Sequence, residues 1–163
     1  MSQRSSDPGR EFLRHAVATL AYRGSKVVRG VPDDVAWHRL GVTTRTPLQI
    51  LGHVNDLLDW ALELCEGRHV WHDSTPESWP TEASRFHAGL AALDRRLASS
   101  EPLGSPPERL FQGPVADALT HIGQIALIRR LAGVPIRGEN YFKASITIGC
   151  VGPEQAAPVR EFG

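Results

Sequence analysis

The sequence predicts an all-α protein: four helices in a bundle, with an extended C-terminal segment packed on it. Three observations predict it. Apolar residues recur at three- and four-residue intervals in four separated stretches. Ser, Thr, Asp, Pro and Gly punctuate those stretches where helices start and stop. No convincing pair of alternating apolar runs offers a strand pairing. A chain of 163 residues fits one domain, and at that size a single core buries enough apolar surface to stand without staples. Internal repeats are not evident.

The first helix is expected over residues 8–28. Asp7 is placed to cap it, Pro8 suits the first helical position, and Phe12, Leu13, Ala16, Val17 and Leu20 follow helical spacing. The pattern then decays through GVPDDVAWHRLGV. A second helix over residues 46–66 opens on Thr46, Pro47 and Gln49, which are a cap, an N1 proline and the third-position Gln of a capping box. Ile50, Val54, Leu57 and Ala61 mark its buried stripe. After GRHVWHDSTPESWP, a third helix over residues 81–99 carries Phe86, Leu90, Leu93 and Leu97 at steps of four, three and four. A Pro- and Ser-rich turn leads to a fourth helix, residues 114–132, begun by Pro114 and stopped by Gly133 and Pro135, with Arg129 and Arg130 complementing its C-terminal dipole. The tail, residues 139–163, contains YFKASITIG, which has β-branched and aromatic residues without helical period and reads as an extended segment lying over the bundle. The two longer connections leave the order in which the chain crosses the bundle open.

Composition excludes several functions. Lys+Arg and Asp+Glu both number 18, so there is no basic field to attract nucleic acid or an anionic membrane surface. No run approaches the roughly 20 apolar residues that a spanning helix needs, and MSQRSSDPGR has no apolar leader core, so the expectation is a cytoplasmic protein. Cys65 and Cys150, the two cysteines, do not make a disulfide framework and read as reduced thiols. No Gly-rich phosphate loop, GxSxG elbow or CxxC occurs.

The chemistry concentrates in three residues. Asp117 and His121 lie four apart on the fourth helix, so their side chains project from one face and reach a single cation beside it. His53 lies on or beside the buried stripe of the second helix. An inward histidine facing an inward aspartate and histidine is how bundles build metal sites from their interior faces. Two imidazoles and a carboxylate suit zinc, nickel or iron and leave coordination positions open. The competing reading is structural: an apolar-face histidine is commonly a hydrogen-bonded core residue, and a carboxylate in the first turn of a helix is favoured by the dipole with no metal.

A first helix, a Trp37 loop, TPLQILGHVNDLLDW with its central histidine, and DALTHIGQIALIRRLAG followed by PIRGENY together resemble the DinB-like family, also called the YfiT-like metalloenzymes. The resemblance covers nearly the whole chain, to about Gly149. It implies an up-down-down-up four-helix bundle with a divalent cation, commonly nickel, zinc or iron, held by a histidine of the second helix and a pair on the fourth. On that resemblance the ligands are His53 and His121, with Asp117 where many members carry a further histidine. Thiol-dependent members, including mycothiol-dependent isomerases, are similar in using a carboxylate with two histidines.

Around the triad, Gln124 is one turn along the same face and is placed to orient a ligand, or to bond another helix. Trp60 lies one or two turns past His53 and is a candidate pocket wall, although Trp37, Trp60, Trp71 and Trp79 all suit packing. Glu139 and Tyr141, after the helix stop, are candidates for an acid or base at the rim, against a simple turn contact. His69 and His72 lack a ligating partner in sequence and read as surface histidines. Two functional classes follow. One is a metal-dependent enzyme acting on a small molecule, a transferase of a low-molecular-weight thiol or a hydrolase. The other is a non-catalytic metal- or small-ligand-binding bundle that dimerises through its helices.

Overall fold

The computed structural model describes residues 7–163; the opening residues 1–6, part of the stretch expected to lack a leader, lie outside them. The described chain is mostly helical. Helix α1 spans Pro8–Val28, α2 Asp33–Ala36, α3 Pro47–Cys65 and α4 Trp79–Ala98. A last rod runs without interruption through α5, Pro107–Leu110, a π-helical stretch Phe111–Val115, and α6, Ala116–Leu131. No helix is long and apolar enough to cross a membrane.

The helix starts follow from side-chain capping of amides that have no partner within the helix. Asp7 Oδ1 accepts from the Gly9 and Arg10 amides ahead of α1. Thr46 and Gln49 form a reciprocal capping box on α3, at 3.2 and 2.9 Å. Ser78 caps α4 through the Thr81 amide, so that helix starts at Trp79 and not at 81, with Pro80 inside its first turn. The short α2 was not expected at all; four residues are too few to show a period.

The fourth expected helix begins earlier than its sequence suggests, and this alters the reading of Asp117. Pro114 is not the first helical residue but sits inside the rod, which starts at Pro107. A proline lacks the N–H for the i−4 carbonyl and its ring crowds that carbonyl; a widened π turn relieves both problems. Asp117 therefore stands well past the helix start, preceded by Val115 in helical conformation. The dipole of a first turn does not account for it.

Four long rods enclose one core, in which Leu13, Leu20, Leu51, Leu58, Phe86, Leu90, Leu93, Leu97 and Ile125 are fully buried. The expected seam of α4 is thus all interior. Phe12 is the exception on α1: it lies 66% exposed and meets Phe111 edge-on. Contacts fix the directions. Arg14 meets Asp94 while Ser25 meets His87, so α1 and α4 are antiparallel. Asn55 meets Glu82 while Glu66 meets Arg96, so α3 and α4 run parallel. His53 meets Asp117 while Trp60 lies against Gly113, so α3 and the last rod are antiparallel. A parallel pair needs a long return, and residues 67–78 supply it along α3, with Ser74 bonded to Asp56 and Pro76 against Gly52.

The tail is less extended than expected. It makes one turn of 3-10 helix at Tyr141–Lys143 and a two-residue antiparallel pairing of β1, Gly138–Glu139, with β2, Glu161–Phe162. The part that docks firmly is around Val151, which enters the core, with Gly152 bonded to Ser25 of α1 and Pro153 to Arg29 just past its end. Within YFKASITIG, Phe142 is almost wholly exposed. Cys65 is buried and Cys150 half-buried, both as free thiols.

Candidate metal centre

The antiparallel crossing of α3 and α6 brings His53, Asp117 and His121 together, with one potential ligand atom from each lying within 4.8 Å of the others. His53 Nε2 is 3.8 Å from Asp117 Oδ2, and His121 Nε2 is 3.4 Å from Asp117 Oδ1. The two imidazole rings stand perpendicular with centroids 4.7 Å apart. For metal–ligand bonds of about 2.0–2.2 Å in tetrahedral geometry, neighbouring donor atoms are separated by about 3.4 Å. The two histidine–aspartate separations, each to a different carboxylate oxygen, are near that spacing, and the side chains must draw together to share one ion.

Proton placement tests the fit. His121 Nδ1 lies 2.8 Å from Gln124 Oε1; because that oxygen only accepts, Nδ1 carries the hydrogen. In the neutral ring the Nε2 lone pair is then directed at the Asp117 carboxylate, and no hydrogen bond joins the two. A lone pair facing an anion at 3.4 Å is unfavourable; a cation between them, or a second ring proton that pairs the imidazolium with Asp117, relieves it. Gln124 therefore does what an outer ligand-orienting group does in a metal site, fixing the tautomer of His121. Burial lowers the pKa of His53, and repulsion from His121 and Arg45 adds to the effect against the attraction of Asp117 and Asp56. Its ring is thereby held neutral, the form that ligates.

The surroundings define access. Trp71 packs on His53 with ring centroids 5.5 Å apart and meets Trp60 edge-on at 5.9 Å. The Asp117 side chain is 48% exposed whereas the His53 and His121 side chains are 21% and 15% exposed. Solvent therefore reaches the centre past the carboxylate. Two clefts adjoin it. A polar one of about 330 Å³ includes His53 and Arg45. A second lies along Trp60, Gly113 and Asp117, and an apolar recess at Leu64 and Pro106 shares its Trp60 and Gly113 wall.

Glu139 and Tyr141 are placed elsewhere. Glu139 is buried, accepting from Tyr22 Oη at 2.6 Å and Lys26 Nζ at 3.0 Å. Burial, together with the Glu139 carboxylate, pushes the Tyr22 hydroxyl far above its ordinary range. Tyr141 meets Tyr22 edge-on and carries the Arg23 guanidinium over its ring at 4.2 Å. Both make their contacts with α1 and not with the His–Asp cluster. Sequence reasoning named Trp60 but missed Trp71 as its partner over His53, missed Arg45, and read Gln49 only as a capping residue. Gln49 had a signal: it precedes His53 by one turn and so shares its face. No protein-family profile, no curated protein and no solved structure matches this chain.

Proposed function

We propose that the chain is an up-down-down-up four-helix bundle of the DinB-like kind, in which His53, Asp117 and His121 hold one divalent cation, nickel, zinc or iron, at the centre of an enzyme site. The helix directions support the bundle: α1 opposes α4, α4 parallels α3, and α3 opposes the last rod. The observation that carries the metal reading is the convergence of His53, Asp117 and His121, with one potential ligand atom from each within 4.8 Å of the others. Such a cation, with open positions, supplies a Lewis acid that binds a thiolate or activates water. The protein residues hold and orient it: Gln124 sets the His121 tautomer, Trp71 covers His53, and the half-exposed Asp117 leaves an entrance. The reaction class is transfer of a low-molecular-weight thiol to an electrophile, or hydrolysis. A homodimer is the assembly we propose, on the exposed Leu127 and Leu131 of α6.

The test compares wild type with Asp117→Asn, which is nearly isosteric and removes the only anionic ligand. Each is metal-loaded and assayed with bacillithiol, mycothiol and glutathione as donors, alongside a hydrolytic panel. Metal-dependent turnover lost in the variant, with an unchanged melting temperature of the metal-free form, is the expected result. A second reading, a non-catalytic metal- or ligand-binding bundle, is favoured by one observation: Glu139 and Tyr141, the acid–base candidates, are committed to α1. Saturable metal binding with no turnover in either panel decides for it.

A further inference from the structure

The polar cleft beside His53 is rich in uncommitted hydrogen-bond donors. Its acceptors are largely used. Asp56 Oδ1 takes a bond from Arg85 at 2.7 Å and Oδ2 takes one from the Ser74 amide at 3.1 Å. Asp73 Oδ1 accepts from the Trp71 indole at 2.9 Å. Gln49 Oε1 accepts from the Thr46 amide in the capping box, which leaves the NH2 end of that side chain, on the cleft wall, without a partner among the described residues. Ser74 Oγ accepts from Arg85 at 2.7 Å, so its own proton remains to be given. Arg45, also on the wall, makes neither a hydrogen bond nor an ion pair among the described residues.

The backbone that carries Arg45 is held in place from behind. Arg39 bonds the Thr44 carbonyl at 2.6 Å, Thr44 Oγ1 ties back to Gly41, and Thr46 is fixed as the cap of α3. The backbone on either side of Arg45 is therefore pinned, which reduces the ordering that a ligand must bring about. Gln49 and His53 are four apart on α3, one above the other, with Cβ atoms about 5–6 Å apart. A group held at Gln49 and an atom reaching the centre at His53 are consequently separated by only a few bonds.

We propose that this cleft is the carboxylate-binding half of the substrate site: Arg45 and Gln49 hold a carboxylate of the small molecule whose other end reaches the cation between His53, Asp117 and His121. The proposal rests on the metal-site reading for the second half of that statement. One guanidinium fork takes a carboxylate or a phosphate bidentately, and the charge of the cleft wall favours the carboxylate. The remaining Asp73 oxygen lies on the cleft wall and repels a dianion more than a monoanion.

Two measurements test it independently of turnover. In the first, metal-free protein labelled with nitrogen-15 is titrated with propionate, propionamide and inorganic phosphate. Propionate is expected to shift the amides of residues 45–49 and 74–75 saturably, propionamide at least tenfold more weakly, and Arg45→Gln to abolish that preference while its spectrum stays folded. Equal binding of the acid and the amide, equal or tighter binding of phosphate, or the same acid preference in Arg45→Gln overturns the proposal, whether or not a metal binds. In the second, cobalt-loaded protein is titrated with mercaptoacetate and mercaptoacetamide, read by the visible cobalt spectrum. Mercaptoacetate is expected to bind at least tenfold tighter, with the ratio falling to within twofold in Arg45→Gln and the amide affinity unchanged. A ratio near one in wild type overturns the link between cleft and cation. Failure to load cobalt instead strikes at the metal reading and likewise removes that link, leaving the carboxylate cleft to be judged by the first measurement.

Discussion

Replacing Arg85 by Met strips the guanidinium from a cluster that joins α3, α4 and the return segment beside the site. Arg85 bonds Asp56 at 2.7 Å, Asp59 at 2.6 Å and Ser74 Oγ at 2.7 Å, with Glu82 at 3.4 Å. The Asp56 and Glu82 side chains are 5% and 4% exposed, so removal of their counter-charge leaves two carboxylates in the interior. Breaking a buried ion pair by deleting one partner costs about 3–5 kcal/mol. The lower end applies here for two reasons. Arg85 is 28% exposed and partly screened, and Asn55 and the Ser74 amide continue to bond Glu82 and Asp56. Asp59, 47% exposed, adds at most about 1 kcal/mol. A loss of about 3 kcal/mol, with a slope of about 2 kcal/mol per molar, lowers the urea midpoint by about 1.5 M. The assay is urea unfolding followed by circular dichroism at pH 7.5. Adding Asp56→Asn and Glu82→Gln to Arg85→Met removes the unpaired charges and is expected to recover more than half of the loss. A midpoint drop below about 0.5 M, or no recovery in the triple variant, refutes the burial argument.

Other predictions follow from single features. Burial lowers the pKa of both His53 and His87, so between those values and about 6.5 the unfolded chain holds more protons than the folded one, and stability rises with pH. The urea midpoint of the metal-free protein is therefore expected to fall from pH 7.5 to pH 5, and less so in His87→Gln; an equal fall in the variant contradicts the assignment of His87. Gly104→Ala is expected to cost about 2 kcal/mol or more in the same assay, because a Cβ there would lie 2.1 Å from the Gly67 backbone nitrogen, where no side chain can yield; an unchanged midpoint refutes that contact. Nickel is expected to quench tryptophan fluorescence at low stoichiometry, since Trp71 packs on His53 at 5.5 Å. Most of the quenching should vanish in Trp71→Phe, and full retention would place the ion elsewhere.

The helices were legible where local chemistry decides. The capping box at Thr46 and Gln49 and the seam from Phe86 to Leu97 are each set by residues within a few positions of one another, and both appear as expected. The last rod was misjudged because Pro114 reads as a start signal. Only the π turn, stabilised by packing on α1 and α3, lets the helix continue through it. Phe12 has the right spacing for the core but lies at the edge of the stripe and faces solvent, since periodicity alone does not fix the stripe's width. The convergence of His53 with Asp117 and His121 depends on α3 and α6 crossing antiparallel. Spacing offered the pair on one helix, the buried stripe of the second helix offered His53, and the family resemblance joined the three. The places of Arg45 and Trp71 beside His53 were illegible because each depends on the return segment folding back along α3, a tertiary choice that no local pattern records.

The measurement that bears most directly on the proposed metal centre is metal content after loading with zinc, nickel or cobalt and exhaustive removal of loosely held ion. A three-ligand site holds about one equivalent per chain, with affinity that falls at low pH as protons compete for the imidazoles. Wild type is expected to retain that equivalent, and His53→Ala/His121→Ala, folded by circular dichroism, to retain none. No bound ion in wild type, or a full equivalent in the double variant, contradicts the assignment of His53, Asp117 and His121.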